Sequence, residues 1–154
     1  MTDQIKRGLE GVLVTESELS VIDGEAGELG YRGYPIRELA AETTFEEVVY
    51  LLWHGSLPTS SQLETFSREL CDHRVIDDTV LRTLEELAAR GEEPMAALRT
   101  AVSMLSAGDP AEGLVPTDSE TIRRTGTRLT AKIPTFVAAY DRLRQGERPV
   151  DPDE

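Results

Sequence analysis

The stretch Thr121-Ile-Arg-Arg-Thr-Gly-Thr-Arg-Leu-Thr-Ala-Lys-Ile-Pro-Thr-Phe-Val-Ala-Ala-Tyr-Asp-Arg-Leu143 decides the fold class. Ile122, Gly126, Leu129, Ile133, Phe136, Tyr140 and Leu143 recur in it at steps of three and four. That period places them along one side of a helix, expected over about residues 118–145. A seam of this length suits packing along a second helix. Pro134 lies inside the pattern and removes one backbone donor, so a bend is expected there. Gly146 marks the end. At the start, Thr117-Asp-Ser-Glu120 has the spacing of a capping box.

Four more helices are expected upstream, with clear punctuation. Thr44-Phe-Glu-Glu47 is a capping box that opens a helix over about 45–54, closed by Gly55. Thr59-Ser-Ser-Gln62 is a second box, opening a helix to about His73 with Leu63, Phe66 and Leu70 inward. Asp77 is placed to cap a third, carrying Val80, Leu81, Leu84 and Leu87 and closed by Gly91. Pro94 suits the first turn of a fourth, about 94–107, with Met95, Leu98, Val102 and Leu105 on its apolar side. Residues 108–116 read as a Gly, Pro and acidic loop. The first 40 residues differ. Gly11-Val-Leu-Val-Thr15 leads into Glu18–Ile22, and Glu28–Arg32 returns after a Gly-rich turn, a hairpin signal. Pro35 can begin a short helix through Leu39 and Ala40. Three segments follow: 1–40 with the hairpin, a helical body over 41–146, and a polar tail over 147–154.

Composition excludes several classes of function. The chain has 154 residues, 29 acidic against 16 basic, for a net charge of −13. A phosphate-neutralising surface needs the opposite balance, so neither nucleic acid nor an anionic membrane is expected as a partner. Val48–Trp53 is the longest apolar run, too short to span a bilayer. The start of the chain lacks the apolar core of a signal peptide, and a soluble cytoplasmic protein is expected. Cys71 is the single cysteine, so no internal disulfide forms. Lys6 and Lys132 are the only lysines among the 16 basic residues. Dense carboxylates with little lysine resemble proteins of salt-loving organisms; drift in an arginine-rich genome gives the same composition.

No set of residues with catalytic spacing emerges. His54 lies at a helix C-terminus, where an imidazole is favourable without any chemistry. His73 and Cys71 are two apart and do not share a helix face. Gly27-Glu-Leu-Gly30-Tyr-Arg-Gly33 has neither dinucleotide nor Walker spacing and is explained by a turn. Glu46-Glu47, Glu85-Glu86 and Glu92-Glu93 are adjacent, hence divergent on a helix. Arg123-Arg124 is explained by surface ion pairing. No metal ligand set, catalytic residue or cofactor site is assigned.

A second layer of signal lies in the order of short motifs. Gly8-Leu-Glu-Gly-Val-Leu-Val14, Ile22-Asp-Gly24, Tyr31-Arg-Gly-Tyr34 and Ile36-Arg-Glu-Leu39 come first. Phe45-Glu-Glu-Val48, Tyr50-Leu-Leu52, Gly55-Ser-Leu-Pro-Thr59, Pro94-Met95, Leu98-Arg-Thr-Ala-Val102 and Ala131-Lys-Ile-Pro-Thr135 follow. In order and spacing they resemble the beginning of citrate synthases of the short archaeal and bacterial type. The pattern is shared with 2-methylcitrate synthases. The resemblance implies a mainly α fold: citrate synthase-like large-domain helices preceded by a small N-terminal β-hairpin. It implies a family activity, the condensation of acetyl-CoA with oxaloacetate to citrate in the tricarboxylic acid cycle. The family's catalytic His-Gly-Gly and Gly-Phe-Gly-His-Arg segments and its later Asp have no counterpart here, so this chain alone is expected to be inactive. It reads as an N-terminal fragment of a truncated synthase. The alternatives are the scaffold half of a split synthase, completed by a separate catalytic chain, and a non-catalytic dimerisation protein.

The resemblance also implies a homodimer. The helices over 94–107 and 118–145 match two that pack across the family's subunit interface. Met95, Leu98, Val102, Leu105, Leu129, Ile133, Phe136 and Tyr140 are the interface candidates. Their spacing by itself favours an ordinary intramolecular core; with the resemblance, interface plus core is expected.

Overall fold

A computed structural model describes residues 15–105 and 118–152. The expected strand at Gly11–Val14, the end of the fourth helix beyond Leu105, the loop 108–116 and the Thr117 cap lie outside the described residues. Order along the chain is β1 (Ser20–Asp23), β2 (Glu28–Tyr31), β3 (Tyr34–Pro35), α1 (Ile36–Glu42), α2 (Phe45–His54), α3 (Ser60–Asp72), α4 (Asp78–Ala89), α5 (Pro94–Met104) and α6 (Ser119–Arg144). The architecture is mainly helical with one small sheet, as the residue patterns require. The chain divides into two compact units, Met1–Leu63 and Glu64–Glu154.

In the first unit the sheet is antiparallel in the order β1-β2-β3. Val21 pairs with Gly30 and Ile22 with Leu29, which fixes the expected hairpin. Asp23 Oδ1 accepts from the amides of Glu25 and Ala26 at 3.0 and 2.9 Å and holds the turn. The first strand begins two residues later than expected, because Glu18 and Leu19 form a bend in which the Leu19 amide donates to Ser17 Oγ. Tyr34–Pro35 adds a third strand that the sequence reading lacked. Arg32 and Gly33 turn with positive φ of 49° and 88°, and this lets the chain reverse within two residues. Pro35 therefore ends a strand, and α1 starts after it.

Helix α2 begins with the full capping box: Thr44 Oγ1 accepts from the Glu47 amide, and Glu47 reaches back to the Thr44 amide at 2.7 Å. It ends at Gly55, whose φ of 83° suits a residue without Cβ. Gln62 reaches back to the Thr59 amide at 2.8 Å before α3 in the same way. Asp77 departs from expectation. Its carboxylate makes no capping bond at α4 and lies 3.8 Å from the Lys132 ammonium instead.

The second unit has a compact apolar core. Val80 and Leu84 of α4, Ala97 and Ala101 of α5, Leu105, and Phe136 and Tyr140 of α6 form it. Helix α6 has 26 residues, a span of about 39 Å. Its first turn is capped by Asp118, whose carboxylate accepts from the Thr121 amide at 2.8 Å. The Thr121 amide, and with it the Thr121 hydroxyl, holds the Asp118 carboxyl below its ordinary pKa.

Candidate functional site

The seam of α6 is rotated from the one the sequence reading drew. Thr127, Ala131, Lys132, Phe136, Ala139 and Tyr140 are the buried positions. Ile122 is 54% exposed, while Gly126, Leu129 and Ile133 are half-buried. The reason is backbone approach. Ala131 and Ala139 on α6, like Ala97 and Ala101 on α5, are buried and have little side chain to hold a helix away from what it packs against. Small residues carry little weight in an apolar pattern, so this inner line was missed. It would be found by looking for alanine at helical spacing beside an aromatic pair.

One row of α6 at intervals of four, Arg128, Lys132, Phe136 and Tyr140, holds the second unit together. Arg128 Nη2 donates to the Leu105 carbonyl at 2.6 Å and satisfies the end of α5. The Lys132 ammonium donates to the Val75 carbonyl in the α3–α4 connection. Tyr140 Oη donates to the Glu92 carbonyl at 2.6 Å in the α4–α5 connection. Phe136, between Lys132 and Tyr140 in this row, is 1% exposed. Each polar tip thus meets a backbone carbonyl at or beyond the end of another helix.

The eight interface candidates separate by burial. Leu105, Phe136 and Tyr140 lie inside the chain's own core. Leu98, Val102 and Leu129 are partly buried against that core. Ile133 is half-buried. Met95 is 67% exposed. Val137, which the sequence reading did not name, is 52% exposed. Leu129, Ile133 and Val137 stand at intervals of four on α6. They form an apolar row with solvent access, bordering the buried one.

The polar candidates remain apart. His54 stacks on Tyr50 with ring centroids 4.1 Å apart, an arrangement within the last turn of α2. Cys71 is a free, half-buried thiol. Arg123 pairs with Glu120 one turn earlier. Among the described residues no group of three or more His, Cys, Asp or Glu side chains is placed to hold a metal ion. No described helix is long and apolar enough to cross a membrane. The described residues form a scaffold of packed helices with an apolar row left accessible.

This scaffold has close counterparts. A family model described as citrate synthase, C-terminal domain, matches residues 8–154. The citrate synthase of Haloferax volcanii is 54% identical over all of this chain, which covers 41% of that protein. A 2-methylcitrate synthase of Mycobacterium tuberculosis is 40% identical over 96% of this chain and 36% of its own length. Among solved structures, citrate synthase from Thermotoga maritima superposes with a TM-score of 0.81 at 34% identity, covering 97% of this chain and 38% of that one. Citrate synthase from Pyrobaculum aerophilum gives 0.78 at 34% identity, over 94% and 38%. The chain thus spans about two fifths of the length of the relatives it matches. With the family model matching nearly all of its residues, the chain belongs to the citrate synthase family.

Proposed function

We propose that this chain is the scaffold part of an enzyme condensing acetyl-CoA with oxaloacetate, and that the reacting groups lie outside it. The observation that carries this reading is the match to a citrate synthase over the whole chain at 54% identity, against 41% of that enzyme's length. The role of the chain is to hold α4, α5 and α6 as a rigid platform. The row Leu129, Ile133 and Val137, together with Met95, Leu98 and Val102, is its surface for a second copy in a homodimer. The exposure along one helix supports that assignment: Phe136 and Tyr140 are taken up by the core, while Ile133 and Val137 keep solvent access. The acidic, lysine-poor composition and the Haloferax relative support a cytoplasmic enzyme of a salt-loving organism.

The test is CoA-thiol release with acetyl-CoA and oxaloacetate, using protein from a host lacking its own citrate synthase. The chain alone is expected to give no release above a no-enzyme control. Adding the part of the Haloferax enzyme that this chain does not match is expected to give release. Turnover by the chain alone overturns the placement of the reacting groups. An inert mixture overturns the scaffold role.

A further inference from the structure

We draw no further inference here: the strongest candidate, the groove of about 400 Å3 over Gly30 of the β-ribbon, walled by Val21, Pro35 and Ile36 with Asp23, Glu28 and Arg37 among its lining residues, is an unpartnered face of the sheet and nothing in the structure shows what covers it.

Discussion

Asp118 and Thr44 do the same work by different chemistry. Each accepts a hydrogen bond from an amide in the first turn of its helix, one of four donors there with no partner inside the helix. The Thr44 hydroxyl does so at any ordinary pH, aided by the reciprocal bond from Glu47. The Asp118 carboxyl does so best when ionised, and the Thr121 amide lowers its pKa in the folded chain. The sign follows. A depressed folded pKa contributes stability above the unfolded pKa, and this is lost as pH falls through the folded value. The first turn of α6 is therefore expected to fray in acid, seen as a lower amide protection factor at Thr121 and Ile122, each rate taken relative to the intrinsic rate at the same pH. In Asp118→Asn the neutral side chain caps without titrating, so the acid-induced loss of protection at those amides should disappear. An unchanged acid response in that variant would remove Asp118 as its cause.

Helix α6 presents neighbouring apolar residues with different fates. Phe136 is enclosed by the core of the second unit, so Phe136→Ala leaves a cavity that α4 and α5 cannot close fully. A loss of about 3–5 kcal/mol in urea unfolding is expected. Val137, one residue on, is half exposed. Val137→Glu changes nothing inside the core and should shift stability by less than about 0.5 kcal/mol. If the outer row meets a second copy, the same substitution places a carboxylate in an apolar contact and should abolish self-association in sedimentation velocity. Equal association of the variant and the natural chain would overturn that use of the row. The pair of measurements separates core from interface on a single helix.

Charge acts on the molecule as a whole. A net charge of −13 on 154 residues sets carboxylates against one another. The ion pairs of the described surface, such as Arg68 with Glu64 at 2.9 Å, are exposed and each contributes little. Screening shortens the reach of the repulsion from about 10 Å at 0.1 M salt to about 3 Å at 1 M. The midpoint of thermal unfolding is therefore expected to rise from low to molar KCl. A midpoint that falls over this range would mean that attractive pairs, rather than net repulsion, govern the salt response.

Local chemistry is what a linear sequence displays most directly. The boxes at Thr44 and Thr59 and the stop at Gly55 rest on neighbours within a few residues and stand as read, and the hairpin expected over 18–32 forms with its edges trimmed to 20–31. So does family membership, which rests on motifs in order along the chain. The partner of Asp77 could not be read this way, because Lys132 reaches it from a different helix. The same holds for the carbonyls of Val75, Glu92 and Leu105, each met by a side chain of α6 from far along the sequence. Periodicity located the apolar side of α6 only to within about one residue. The buried line runs through Ala131 and Ala139, where small side chains permit close helix packing. Hydrophobic spacing selects which elements form and roughly how they face. Steric fit between elements, which depends on both partners at once, selects which residues are finally enclosed.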